Sequence, residues 1–326
     1  MADVAERAGV SMITVSRALR HPTRVAAETR ERIENAMSDL GYVPNLIAGG
    51  LAATETRIIA VIIPYITDGV FAEALRGLND RLTSEGYCVL LGNSDGRATG
   101  EERIVRALLG HRPAGIVVQG ANHTDATRRL LEAASIPVVE MGTLPGNQID
   151  LAVGYRNIDA AEAMTKRLIK AKRRRIGLVT ADPRSNDRHA DRLEGYRRAI
   201  VAAGRTFDPD LVVHAEFNMP EGRRALAALL DAAPDIDAIF CASDIWAAGM
   251  IFECARRHIA VPDRIAICGF SDLPIAAETV PSITTIRVPR YEIGDVTADL
   301  ILRRISGETC ALQIDLGFQL IVRESG

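Results

Sequence analysis

The apolar positions of the opening stretch, MADVAERAGVSMITVSRAL, fall into two short helical stripes separated by a glycine. Val4, Ala5 and Ala8 share one helix face, and Gly9 ends that piece. Ser11 is placed to cap a second helix, whose buried stripe is Val15, Ala18 and Leu19. Over residues 23–42, TRVAAETRERIENAMSDLGY, the helical spacing returns at Ile33, Ala36, Met37 and Leu40, closed by Gly41 and Pro44. The pattern predicts a three-helix head whose first two helices make a helix-turn-helix, the arrangement that can set its second helix in a DNA major groove. A plain helical hairpin has the same spacing, so the pattern alone leaves DNA binding open. The small and polar NLIAGGLAATETR that follows reads as a linker.

From Arg57 the pattern changes. RIIAVIIP, CVLLGNS, GIVVQG and PVVEMG are short continuous apolar runs, the signature of strands buried on both faces, and amphipathic stretches such as FAEALRGLNDRLTSEG separate them. The grammar then restarts with RRIGLVTA, ADRLEGYRRAIVAAG, AIFCAS, IWAAGMIFECARRH and IAICGF. Alternating strands and helices imply parallel sheets, and two similar halves imply two doubly wound lobes with a ligand crevice between them. ITTIRVP and the tail after it would supply a crossing segment and the last strands. One large doubly wound sheet is the competing arrangement.

Composition narrows the classes. The 326 residues suffice for two or three compact units, and the net charge of −3 does not advertise a polyanion partner. Up to Arg57 seven arginines balance seven acids, so non-specific attraction to phosphate should be weak and salt-sensitive. Cys88, Cys241, Cys254, Cys268 and Cys310 are scattered without C-x-x-C spacing and mostly sit within apolar runs, where small buried thiols in a reducing cytosol are expected. No charged-then-apolar leader is present and no apolar run approaches about 20 residues, so a cytoplasmic protein without membrane contact is expected. The motifs G-x-G-x-x-G after a strand, G-x-x-x-x-G-K-[ST] and G-x-S-x-G are missing, and the six histidines are dispersed, so neither catalysis nor a cofactor nor a metal is expected.

The head motif DVAERAGVSMITVSRAL…TRERIENAMSDLGYVPN, together with FCASD, VPDRIAICGFSD and PSITTIRVPR, closely resembles the LacI/GalR family of bacterial transcriptional repressors over nearly the whole chain. VFAEALRGL, IPVVEMGTLPGNQIDLAVGYRN and IDLGF are most similar to its gluconate-utilisation repressors. The resemblance implies an α/β protein: a helix-turn-helix head at 1–43, a hinge at 44–56, and a periplasmic-binding-protein-like effector domain at 57–326. Its first lobe would take about 57–155 and 285–312, and its second about 156–284 and 313–326. It further implies a homodimer on double-stranded, pseudo-palindromic operator DNA, with a small molecule in the crevice altering the spacing of the heads. Helices around Ala72 to Leu82 and Ala247 to Ala255 would be the dimer faces, and no coiled-coil tetramer is expected.

By position, the resemblance makes Ser11, Met12, Ile13, Thr14, Ser16 and Arg17 the DNA-reading set, joined by Asn45 and by Leu51 as a minor-groove wedge. Met12 and Ile13 can meet only thymine methyls, so base reading should rest on the forked guanidinium of Arg17 and on DNA shape. Gly49 and Gly50 oppose helix formation in the hinge, which should fold only on DNA. Two departures from the family pattern stand out. The chain starts at Met1 in the first helical turn, leaving its true start open, and Ala26 replaces a capping serine. In the crevice, Phe71 and Glu140 from the first lobe and Arg188, Arg192, Ser243, Asp244 and Asp272 from the second are the candidate effector residues. Two arginines one helical turn apart could clamp a carboxylate, which points to a sugar acid such as gluconate. A neutral sugar, a purine co-repressor and a sugar-binding receptor remain the alternatives.

Overall fold

The computed structural model describes residues 1–42, 56–66, 69–184 and 186–326, which fall into two compact units, Met1–Thr56 and Arg57–Gly326. Asn45, Gly49, Gly50 and Leu51 lie outside the described residues.

In the first unit, α1 (Ala2–Ala8) ends at Gly9, whose left-handed backbone, φ 65°, would strain any side chain. The second helix, α2 (Met12–Arg20), is capped by Ser11, whose Oγ accepts the Thr14 amide at 3.1 Å. The third, α3 (Ala27–Asp39), begins at Ala26 with no side-chain cap. Val4, Ala5, Ala8, Val15, Ala18, Ile33 and Ala36 form the core, in agreement with the helical spacing. Restoring the cap with Ala26→Ser is expected to raise the stability of the head by about 0.5–2 kcal/mol. Thermal unfolding of the head beside the parent sequence would check this.

The second unit holds two parallel sheets. The first is ordered β11-β5-β4-β3-β1-β2, from β1 (Ile58–Ile63), β2 (Cys88–Asn93), β3 (Gly115–Gln119), β4 (Val138–Met141), β5 (Leu151–Gly154) and β11 (Gln313–Asp315). The second is ordered β7-β6-β8-β9, from β6 (Ile176–Thr180), β7 (Val212–His214), β8 (Ala238–Cys241) and β9 (Ala266–Cys268). A short antiparallel pair joins β10 (Thr285–Arg287) to β12 (Gln319–Ile321). The continuous apolar runs are explained by burial on both faces: in β1, Ile59, Val61 and Ile63 enter one core while Ala60 and Ile62 enter another. Because β11 pairs with β5 from Gln313 to Asp315, the tail stays with the first sheet beyond residue 312, and its return to the second lobe follows β11.

Helices cover both sheets. On the first lobe, α4 (Ala72–Ser84) lies against α12 (Arg290–Ile305), and glycines allow backbone contact. A Cβ at Gly77 would strike the Tyr291 carbonyl oxygen, and one at Gly294 that of Ala74. The apolar side of α4 is thereby taken up within its own chain. On the second lobe, α10 (Asp244–Arg256) is buried at Trp246, Ala247, Ala248, Met250, Ile251 and Cys254, and Phe252 remains exposed on it. Among the described residues no helix is long and apolar enough to cross a membrane.

Candidate effector crevice and DNA-reading face

A cavity of about 1100 Å³ opens at the carboxyl ends of both sheets. Its first-lobe wall comes from segments following β1 to β5, among them Phe71, Ser94, Gln119 and Tyr155, and its second-lobe wall from segments following β6 to β9, among them Asn218, Ser243 and Ser271. Open parallel sheets direct ligands to that edge, where strand ends leave loops and helix starts unpaired. Hydrogen bonds tie the walls together, among them Asp187 accepting the Ala121 amide at 2.8 Å and Asn122 donating to the Arg184 carbonyl at 3.3 Å.

Four of the seven expected effector residues line this crevice: Phe71, Arg188, Arg192 and Ser243. Arg188 and Arg192 lie one turn apart on α8 (Asp187–Ala202), 8% and 6% exposed. Arg192 is held by neutral partners, donating from Nε to Asn157 Oδ1 at 3.0 Å, from one terminal nitrogen to the Ala242 carbonyl at 2.8 Å and from the other to the Tyr155 hydroxyl at 3.0 Å. Its guanidinium carbon sits 3.8 Å from the centre of the Phe270 ring. Burial above all lowers its pKa from the ordinary arginine value. Arg188 meets Asp187 at 3.4 Å, and the other oxygen of that carboxylate is the one engaged by Ala121. Ser243 accepts the Ile245 amide at 3.2 Å and so caps α10.

The other three lie elsewhere. Glu140 shares the strand face of Val138 rather than that of Val139 and Met141, so alternation turns it away from the crevice side toward α5 (Ala98–Leu109). Glu140 itself does not line the cavity, though Glu101 of α5 does. Glu140 accepts the Ile149 amide at 2.7 Å and stands 3.4 Å from His123 Nε2, while Nδ1 of the same ring is 2.6 Å from Glu101. Asp244 is buried in the second lobe, accepting the Leu273 amide at 2.7 Å and the Thr285 hydroxyl at 2.6 Å. Burial pushes its pKa up to about 6 against those two hydrogen bonds. Asp272 receives Arg287 at 2.6 Å and Arg323 at 2.8 Å, so its carboxylate clasps the crossing segments instead of a ligand.

Sequence reasoning missed Tyr155 and Asn157, which orient Arg192, and the role of His123 as a buried member of a charged trio. The signal for the first two was the YRN triplet after a strand end, at the crossing between lobes. Burial lowers the His123 pKa, but hydrogen bonds to Glu101 and Glu140 and their charges outweigh it and lift the value to about 9. A folded-state pKa above the free value of about 6.5 stabilises the fold fully below that pH, and the contribution is lost as pH rises through about 9. The denaturation midpoint should therefore fall between pH 7 and 10, and His123→Gln should flatten that fall.

In the first unit, Ser11, Met12, Ile13 and Arg17 are exposed at the start of α2, with Met12 at 54% and Ile13 at 70%, while Thr14 and Ser16 are half-buried. Two large apolar side chains so exposed on a helix start, beside an exposed arginine, form a surface that solvent alone does not favour.

The profile of bacterial regulatory proteins of the lacI family matches residues 1–45, and that of a periplasmic binding protein-like domain matches residues 165–326. An HTH-type transcriptional regulator GntR of Pseudomonas aeruginosa is 36% identical over 326 residues, covering 99% of this chain and 94% of the relative. The chain belongs to the LacI family of bacterial regulatory proteins. Two solved structures agree with the architecture. One, a transcriptional regulator of this family from Silicibacter pomeroyi, is 31% identical with a TM-score of 0.92, covering 99% of this chain and 98% of that one. Transcription regulator GntR from Chromobacterium violaceum is 37% identical with a TM-score of 0.78, covering 82% of this chain and 98% of that one. As a LacI-family member the chain is a DNA-binding transcriptional regulator, not an enzyme, with a helix-turn-helix head and an effector-binding body.

Proposed function

We propose that the chain represses genes for the use of a sugar acid, with gluconate the first candidate, and leaves its operator when that acid occupies the crevice. The observation carrying this reading is the pair of buried guanidiniums at Arg188 and Arg192, met among the described residues by neutral groups and the carboxylate of Asp187. A buried cation is costly without a counter-charge, and a ligand carboxylate supplies one in the forked geometry arginine favours. Phe71 offers an apolar face to a carbon chain, and Ser243 a hydroxyl. The similarity to regulators named GntR and the sequence resemblance to gluconate-utilisation repressors support the same class.

On DNA, a homodimer would place one head on each half-site. Arg17 would read a guanine edge, Met12 and Ile13 would meet thymine methyls, and Ser11, Thr14 and Ser16 would contact phosphate or fix the helix. Asn45 and Leu51 complete the proposed set from the hinge. Calorimetric titration with D-gluconate, galactose and hypoxanthine tests the effector class. Binding of gluconate alone supports it; binding of either other compound in its place removes the sugar-acid assignment and leaves the family intact.

A further inference from the structure

Between the two arginines, α8 places a third polar side chain in the crevice wall, and neither the sequence nor the proposed clamp uses it. His189 is 6% exposed and lines the cavity. Its Nδ1 accepts the Ala181 amide at 3.3 Å and lies 3.0 Å from Thr180 Oγ1. Its ring meets Trp246 edge-on, with 5.6 Å between centroids and an angle of 65°. A backbone N–H can only donate, so Nδ1 is the unprotonated nitrogen, and the single ring proton sits on Nε2. Burial first, then the charges of Arg192 and Arg188, hold the imidazole well below its usual pKa, in keeping with a neutral ring. Among the described residues nothing accepts from Nε2.

A neutral imidazole with its acceptor already satisfied and its donor unspent in a ligand cavity has one remaining capacity. We propose that His189 donates from Nε2 to an oxygen of the effector and is a specificity-determining residue of the crevice. The assignment rests on the sugar-acid reading above. With Arg188 and Arg192 it gives α8 three donors in the crevice wall, beside the Asp187 carboxylate that Arg188 and the Ala121 amide already engage. That wall suits carboxylate and hydroxyl oxygens, and it disfavours a ligand presenting an ammonium, which two guanidiniums repel and Nε2–H cannot receive.

The test is calorimetric titration of the full chain with D-gluconate, comparing wild type, His189→Gln and His189→Phe, each checked for folding by thermal unfolding. Glutamine keeps an N–H donor and should bind within a few-fold of wild type. Phenylalanine keeps bulk but no donor, and should bind about tenfold more weakly or worse. In nitrogen-15 histidine-labelled wild type, the ring should show Nε2 protonated and Nδ1 bare, with the Nε2 signal moving when gluconate is added. Should His189→Phe not fold, that signal decides: a shift supports the donor role, and an unmoved signal overturns it. Wild type that binds no gluconate would overturn the sugar-acid reading on which the assignment rests. Wild type that binds while His189→Phe binds equally well, or a proton found on Nδ1, would overturn the role of His189 and leave the sugar acid standing.

Discussion

Arg17→Ala is expected to erase the preference for operator over unrelated DNA while leaving the head folded. Arg17 is exposed on α2, and the head core is made by Val4, Ala5, Ala8, Val15, Ala18, Ile33 and Ala36, so truncating it removes no packing. Its neighbours at the helix start, Met12 and Ile13, carry no donor or acceptor in their side chains. In the proposed docking the bidentate reading of a base edge therefore rests on this guanidinium. A bidentate arginine–guanine contact is worth roughly 1–3 kcal/mol of discrimination, so a dimer with two half-sites stands to lose about 2–6 kcal/mol. A gel-shift series with operator and scrambled duplexes at fixed salt reads the result. Selectivity that survives the substitution would move base recognition to another residue.

Arg188→Ala is expected to weaken gluconate binding by about 2–5 kcal/mol, the range for leaving a buried charge without its partner. Arg192 is the poorer target for this purpose. It also bridges Asn157, Tyr155 and the Ala242 carbonyl, so its loss would leave those groups unpaired and confuse packing with binding. Arg188 pairs with Asp187, and that carboxylate keeps the Ala121 amide when the arginine is gone. Removing the cation should affect an acid and a neutral sugar differently: gluconate loses its counter-charge, whereas galactose has no carboxylate to lose one. Parallel titrations of both ligands into the variant and the wild type would show the contrast, and equal gluconate affinity would dismiss the clamp.

The readable parts of the molecule were those with enough residues to show a period. The head helices and the runs at β1, β2, β3, β4, β6, β8 and β9 each carry several apolar positions in the expected order. By contrast β5 and β7, of four and three residues, lie in no extended apolar run of the kind that marks the equally short β4, β8 and β9. The strands β10, β11 and β12 are legible only as a crossing segment and last strands without bounds. The same limit governed the crevice. Phe71, Arg188, Arg192 and Ser243 follow strand ends or open helices, so their place at the ligand edge follows from topology. Glu140 went astray because one step along a strand exchanges one face for the other, and the sequence does not reveal which face meets the cavity. Asp244 and Asp272 obey the strand-end rule, yet each is claimed by partners distant in the chain: Thr285 for the first, Arg287 and Arg323 for the second. Tyr155, Asn157 and His189 gain their importance only through neighbours brought in by the crossing or by the turn of α8.

The backbone contact between α4 and α12 at Gly77 and Gly294 has a mechanical consequence. Phe71 immediately precedes α4, and Arg290 and Ile293 lie in the first turn of α12, and all three side chains face the crevice. At Gly77 and Gly294 main chain meets main chain with no side chain between to take up a displacement, and Arg81 pairs with Asp299 across the same two helices at 2.9 Å. A ligand that presses on Phe71 is therefore expected to shift the starts of α4 and α12 together rather than one past the other.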